Sequence, residues 1–275
     1  MSVLKAGIVQ LNAGPVIEDN LREAEKLICA AAGEGATLIA TPENTCRMRA
    51  KPEDKWASSY EEGDHPAIPF FAGLAKELGV TLVIGSISSI RTEGGKLANR
   101  CFVFDRNGDI SARYDKIHMF DVDLPNGDKY RESDTCAAGD EMIVADTDGG
   151  VKVGLSVCYD LRFPHLYRKM AQAGAKILSI PAAFTVPTGQ AHWEVLLRSR
   201  AIENGCFVIA PAQVGTHEGG RATYGHSMII APWGEKIVEI QTDKADYAVA
   251  SLDLEAVEKA RNSIPSLKHD RMIQG

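Results

Sequence analysis

Short apolar runs alternate with amphipathic helical segments along most of these 275 residues. Such alternation of strand and helix is typical of α/β proteins, in which helices cover a mixed sheet. Strands are predicted at 5–12, 37–41, 80–88, 101–105, 110–114, 151–157, 177–180, 206–213, 227–231, 236–240 and 248–252, and helices at 18–32, 68–78, 164–173 and 190–204. A sandwich of two sheets covered by helices suits this number of strands.

Two local signals support this assignment. The segment 18–32 places Leu21, Leu27 and Ile28 on one helical face, and the glycines that follow it end the helix. Between the strands 101–105 and 110–114, the pair Asn107-Gly108 is a strong signal for a β-hairpin turn.

Composition indicates an ordinary globular chain. Hydrophobic residues make up 45% and charged residues 24% of the sequence, which excludes a disordered, collagen-like or small disulfide-rich protein. The length suits one large core, and neither an internal repeat nor a linker divides the sequence. We therefore predict a single domain over residues 1–275.

Charge and cysteine usage bear on partners and compartment. A net charge of −7 disfavours nucleic-acid binding, and no apolar run reaches the roughly 20 residues that span a bilayer. The first residues lack a signal-peptide pattern, so we expect a soluble cytoplasmic protein. The six cysteines include no C-x-x-C pair and no zinc spacing, which predicts free thiols and no metal site.

The sharpest chemical signal is an apolar strand that ends in Cys158, Tyr159 and Asp160 and leads through Pro164 into a helix. A nucleophile suits such a strand-to-helix turn, because the following backbone N–H groups can stabilise an oxyanion and a helix N-terminus lowers a thiol pKa. A buried structural cysteine is the alternative. Ser156 resembles a serine nucleophile elbow, but its position predicts a packed sheet residue.

Two further polar residues follow apolar strands. Glu43 comes after 37–41, where burial would raise its pKa and suit a general base; a turn carboxylate is the alternative. Lys116 follows 110–114 and could favour a thiolate or stabilise an oxyanion, or could simply be solvated. Histidine is another possible base for a thiol. His65 and His269 look structural or exposed, whereas four others, His118, His165, His192 and His226, stay open.

Several segments together resemble one family. TPE at 41–43, YDKIHMFD at 114–121 and GLSVCYDLRFP at 154–164 resemble the glutamate, lysine and cysteine motifs of the nitrilase (carbon–nitrogen hydrolase) superfamily. Segments 191–204, 224–228 and 232–234 are similar to the Nit branch. The resemblance covers essentially the whole chain, in order.

The resemblance implies an αββα sandwich that forms a homodimer or larger homo-oligomer, and a catalytic triad of Glu43, Lys116 and Cys158. Glu132 would position Lys116 or the substrate, and the N–H of Tyr159 would join Lys116 at the oxyanion. The Nit pattern adds three expected substrate contacts, at Arg162, Phe184 and Thr188. A guanidinium such as that of Arg162 can form two parallel hydrogen bonds to a substrate carboxylate. A structural ion pair with Asp160 or another acid is the alternative. Neither a metal nor an organic cofactor is required.

The implied activity is hydrolysis of a small carboxylate-bearing amide to a carboxylate and ammonia through a thioester. The segment 215–227 is similar to the deaminated glutathione amidases, which often have Ser where this chain has Thr223. An omega-amidase acting on α-ketoglutaramate is the alternative within the branch. A non-hydrolytic metabolite-binding protein, a nitrile hydrolase and a redox-sensing thiol are the other hypotheses.

Overall fold

The computed structural model of the chain describes residues 3–48, 56, 58–124 and 127–271. In these residues the strands are β1 (Val3–Gln10), β2 (Leu38–Ala40), β3 (Thr81–Arg91), β4 (Leu97–Phe104), β5 (Ile110–Asp115), β6 (Asp121–Asp123), β7 (Lys129–Arg131), β8 (Val144–Asp146), β9 (Lys152–Leu155), β10 (Ile177–Ser179), β11 (Phe207–Ala210), β12 (Val214–Thr216), β13 (Ala222–Tyr224), β14 (Met228–Ile230), β15 (Lys236–Glu239) and β16 (Asp246–Asp253). The α-helices are α1 (Ile17–Gly33), α2 (Ala67–Leu78), α3 (Pro164–Gln172), α4 (Val186–Asn204) and α5 (Glu255–Ser263).

Two six-stranded mixed sheets form the centre of the fold. The first has the order β16-β1-β2-β3-β4-β5, and the second has the order β15-β14-β11-β10-β9-β8. Each contains three neighbouring parallel strands with antiparallel strands on both sides. Each therefore presents the carboxyl ends of three parallel strands at one edge, which is where ligand sites gather in α/β proteins.

The two sheets pack face to face, with helices outside. Ala6 and Ile8 of β1 point into a core shared with the second sheet, whereas Val9 points the other way, into a cluster with α1 and α2. On the far side, Tyr167 of α3 and Trp193 of α4 cover the second sheet. Period-two alternation within β1 thus produces the predicted four-layer αββα arrangement.

The sequence pattern located the long strands of both sheets and the buried short strands β2, β10 and β14, but missed several other elements. Helix α4 begins at Val186, four residues before its predicted start, and β4 begins four residues early as well. Six elements were not predicted: β6, β7, β8, β12, β13 and α5. Five of them are three-residue strands that are partly exposed, so they lack the buried apolar run that revealed β2, β10 and β14. No helix in the described residues combines the length and the apolar character needed to cross a membrane.

Candidate active site

Three polar side chains lie just beyond the ends of strands. Glu43 follows β2, Lys116 follows β5 and Cys158 follows β9, on both sheets of the sandwich. These three and the five other site residues predicted from the sequence all line one cavity of about 400 Å³. The structure therefore brings all eight predicted residues together.

Cys158 lies at the sharp turn that joins β9 to α3. Its φ of 51° is in the left-handed region, which is uncommon for a residue with a side chain and is often found at functional sites. The amide N–H of Cys158 donates to the carbonyl oxygen of Pro181 at 2.8 Å. The side chain is 6% exposed and faces the cavity. Ser156, by contrast, is fully buried and bonded to Ser179 and Tyr167, as a packed residue should be.

Asp160 ties this turn to the segment that carries Lys116. Its buried carboxylate accepts hydrogen bonds from the N–H of Val157 (2.8 Å) and the hydroxyl of Tyr114 (2.7 Å) through one oxygen. The other oxygen accepts from the N–H of His118 at 3.0 Å and lies 2.7 Å from that residue's Nδ1. One carboxylate thus connects the residues around the thiol with the residues around the lysine.

The loop that carries Glu43 rests against β3 because Gly85 has no side chain. A β-carbon at Gly85 would overlap the carbonyl oxygen of Thr41 and the ring of Pro181. Gln213 donates from Nε2 to the carbonyl oxygen of Glu43 at 3.0 Å, and the next residue, Asn44, adopts a φ of 59°. The glutamate is therefore held by the neighbouring backbone and by the segment between β11 and β12.

Lys116 lies between two carboxylates. Its Nζ donates to Oε1 of Glu43 at 3.0 Å and to Oε2 of Glu132 at 2.7 Å. Asn99 donates from one Nδ2 to both glutamates, at 2.9 and 3.1 Å, and the N–H of Phe120 donates to Glu132. Lys116 is 1% exposed, so the solvated lysine that was the alternative is excluded.

These contacts set the protonation states. Burial disfavours the charged forms of both groups, but the neighbouring carboxylates raise the pKa of Lys116 well above its usual value of 10.5. Burial alone would raise the pKa of Glu43, but Lys116 and a hydrogen bond from the Cys158 thiol lower it overall. At neutral pH the site therefore holds an ammonium and a carboxylate in contact.

The thiol behaves differently from what the sequence indicated. Burial and the charge of Glu43 raise the pKa of Cys158 well above 9.0, although Lys116 and a backbone hydrogen bond at Ala183 act in the opposite direction. The predictions of a lowered thiol pKa and of a raised Glu43 pKa are both wrong. At Glu43 the contact with Lys116 outweighs burial, whereas at Cys158 burial and the charge of Glu43 outweigh Lys116.

The predicted substrate contacts form a second part of the cavity wall. The guanidinium of Arg162 lies over the rings of Tyr159 and Phe184, at 5.8 and 5.7 Å from their centroids. Its Nη2 is 3.3 Å from Nδ1 of His192, and within the described residues it forms no ion pair with a carboxylate. The alternative ion pair with Asp160 is absent, since Asp160 is engaged elsewhere. Thr188 is buried and bonded to Thr185.

Among the cavity residues that sequence reasoning missed, Asn99 and Arg221 matter most for the chemistry of the site. Asn99 is a polar residue inside the apolar strand β4, and that contrast was the available signal. Arg221 follows two glycines in the hairpin between β12 and β13, and nothing local to its sequence distinguishes it from a surface arginine. The histidines considered as bases lie elsewhere, because none of the seven lines this cavity. Among the described residues no cluster of His, Cys, Asp and Glu is arranged to hold a metal ion.

The chain is similar to known proteins over almost its whole length. The model of the family "Carbon-nitrogen hydrolase" matches residues 5–262. A deaminated glutathione amidase of Yersinia enterocolitica is 40% identical over 275 residues, covering 99% of this chain and 95% of that protein. An omega-amidase of Xenopus laevis is 35% identical over 271 residues, covering 98% and 96%. The crystal structure of the C. elegans NitFhit protein superposes with a TM-score of 0.91 at 33% identity, covering 98% of this chain and 66% of that one.

Proposed function

The chain belongs to the carbon–nitrogen hydrolase family as an amidase, and from this premise we propose that it hydrolyses a small carboxylate-bearing amide through a thioester on Cys158. The observation that carries the proposal is the convergence of three groups in one cavity. A thiol at a strained turn is hydrogen-bonded to a buried carboxylate, and that carboxylate contacts a buried ammonium.

The protonation states define the first step. Because the thiol is neutral and Glu43 is ionised, the sulfur of Cys158 attacks the amide carbonyl while Glu43 takes the thiol proton. A preformed thiolate is not needed. The carbonyl oxygen becomes an oxyanion, for which Lys116 and the N–H of Tyr159 are the proposed donors. Lys116 cannot serve as the base, since its raised pKa keeps it protonated.

The remaining steps return the site to its starting state. Glu43 gives its proton to the amide nitrogen, the carbon–nitrogen bond breaks and the amine leaves. A water molecule then attacks the thioester while Glu43 accepts one of its protons. The carbon–sulfur bond breaks, the acyl half leaves as a carboxylate, and the thiol is reprotonated. Glu132 and Asn99 act as positioning residues: Glu132 accepts a hydrogen bond from Lys116, and Asn99 donates one to Glu43.

Deaminated glutathione is the proposed substrate, supported by 40% identity to amidases of that name. Its amide joins a 2-oxoglutaryl group to cysteinylglycine, so the product released in the first step is that dipeptide; ammonia is expected only from primary amides. An omega-amidase acting on α-ketoglutaramate, supported by relatives at 35% identity, would use the same acyl half with ammonia as the leaving group. In both cases Arg162 is the proposed contact for the carboxylate of the acyl half.

The test measures product release from deaminated glutathione and from α-ketoglutaramate. Cys158→Ala should abolish both activities, and Glu43→Gln should allow a thioester on Cys158 to be trapped for mass spectrometry. The matched control is Cys136→Ala, which removes the other thiol that lines the cavity. In this variant the acyl-enzyme should still form on Cys158. Turnover that persists in Cys158→Ala, or binding without product release by the wild type, would reject the proposal.

A further inference from the structure

A second guanidinium enters the cavity from the hairpin between β12 and β13. Arg221 immediately precedes β13 and follows Gly219 and Gly220, which have φ values of 78° and 85°. The carbonyl oxygen of Arg221 accepts the N–H of His217 at 2.8 Å, closing the hairpin loop. The glycines provide a tight turn that no other residue adopts easily, and this turn directs the side chain of Arg221 into the cavity.

The hydrogen-bonding capacity of Arg221 is only partly used. Its Nη2 donates to the carbonyl oxygen of Ala183 at 3.0 Å, while its buried Nε has no hydrogen-bond partner in the part of the chain that the structure describes. No carboxylate among the described residues pairs with it, although it is near enough to Glu43 to contribute to the lowered pKa of that residue. A buried guanidinium N–H without an acceptor is costly, and a bound carboxylate would satisfy it.

A series of aromatic contacts connects Arg221 with Arg162. Arg221 is 5.5 Å from the ring centroid of Tyr130, and that ring contacts Phe120 at 5.1 Å. Phe120 contacts Tyr159 at 5.2 Å, and Arg162 lies over the ring of Tyr159. The cavity thus offers two guanidinium groups, neither with an acidic partner in the described residues.

We propose that Arg221 binds a carboxylate carried by the amine half of the substrate, so that the preferred substrates are amides with a carboxylate on each side of the scissile bond. The inference rests on the proposed function, in which Arg162 takes the carboxylate of the acyl half. Arg162 belongs to the same turn as Cys158, whereas Arg221 lies on a separate hairpin and donates to Ala183, whose backbone hydrogen-bonds to the thiol. With the acyl half held by Arg162, the amine half is left to face Arg221.

A purely structural role for Arg221 makes a different prediction. The backbone of Ala183 hydrogen-bonds to the Cys158 thiol, and its carbonyl oxygen accepts from Arg221. If Arg221 only positioned Ala183, its loss would lower kcat equally for every amide. If it binds a carboxylate, its loss raises KM selectively for substrates that carry that group.

The experiment compares two γ-amides of 2-oxoglutarate, one with glycine and one with glycinamide, which differ only in the charge of the amine half. The wild type should favour the glycine amide in kcat/KM by about 10- to 100-fold, as expected for hydrogen bonds to a charged group. Arg221→Gln should remove this preference by raising KM for the glycine amide, and Arg221→Lys should keep part of it.

The matched control is Arg131→Gln. Arg131 also lines the cavity, but it pairs with Asp123 at 2.9 Å and donates to two carbonyl oxygens, so the variant should keep the wild-type ratio between the two amides. An equal loss on both amides in Arg221→Gln, or no preference in the wild type, would overturn the inference while leaving the amidase proposal in place. If no amide, including α-ketoglutaramate, is cleaved in a Cys158-dependent way, the proposed function fails and the inference fails with it.

Discussion

Replacing Asp160 by asparagine tests whether one buried carboxylate fixes the position of the turn that carries Cys158 relative to the segment that carries Lys116. The substitution keeps the size and shape of the side chain but converts one acceptor oxygen into an NH₂ donor. In the native structure each oxygen accepts one backbone N–H, from Val157 or from His118. Whichever way the asparagine amide is turned, its NH₂ group therefore faces a backbone N–H.

The cost follows from these bonds. The hydroxyl of Tyr114 can rotate and the ring of His118 can change tautomer, but neither backbone N–H can become an acceptor. One hydrogen bond to a charged group is lost and a buried N–H remains unsatisfied, which together should lower the free energy of unfolding by about 3–5 kcal/mol. The gentler variant Tyr114→Phe removes a single donor and should cost about 1–2 kcal/mol.

Urea unfolding of the purified variants measures this loss through the shift in midpoint at constant slope. The control is Asp123→Asn, because Asp123 pairs with Arg131 at the surface, is 60% exposed and should contribute less than about 1 kcal/mol. The kcat of Asp160→Asn should also fall, by roughly 100-fold, since small displacements of reacting groups are costly. A loss of stability below about 1 kcal/mol together with an unchanged kcat would refute the reasoning.

Three further outcomes are expected from the structure. Gly85→Ala should cost about 3 kcal/mol in thermal unfolding, because its β-carbon overlaps the loop before Glu43, whereas Gly73→Ala on α2 meets nothing within 4 Å and should add about 0.5–1 kcal/mol. The pKa of Glu43 lies below its usual 4.5, so its contribution to the free energy of unfolding is present above pH 4.5 and is lost as the pH falls through the lower folded-state value. Glu43→Gln should therefore weaken the dependence of unfolding free energy on pH in this acidic range. An unchanged pH dependence would contradict the assignment. Glu132→Gln should lower kcat about 10- to 100-fold with little change in KM, because Lys116 loses one of its two carboxylates; a change in KM alone would instead indicate a substrate contact.

The pattern of strands and helices was accessible from the sequence because burial imposes periodicity. Helix α1 begins and ends within one residue of its predicted bounds, since its apolar face and the glycines after it are local features. The hairpin at Asn107 and Gly108 was predicted correctly for the same reason, and Gly108 has the positive φ that the turn requires. Membership of the family was also predicted correctly, because its motifs occur in order along the chain.

The electrostatics of the site could not be obtained in this way. Whether the pKa of Glu43 rises or falls depends on the balance between burial and a lysine 73 positions away in sequence at 3.0 Å. Rules applied to one segment at a time gave the burial contribution for Glu43 and the effect of the helix N-terminus for Cys158. For Glu43 the lysine on another strand outweighs burial, whereas for Cys158 burial between the packed sheets outweighs the lysine.

The sequence by itself determined the alternating elements, the family motifs and the residue types that carry the chemistry, because these depend on local periodicity and local composition. Only the tertiary structure placed Asn99 between the two glutamates, bonded Asp160 to the lysine segment and left Arg221 without an acidic partner in the described cavity. These features join residues from separate strands and hairpins. Their energies depend on distance and exclusion of water, and neither exists until the two sheets have packed together.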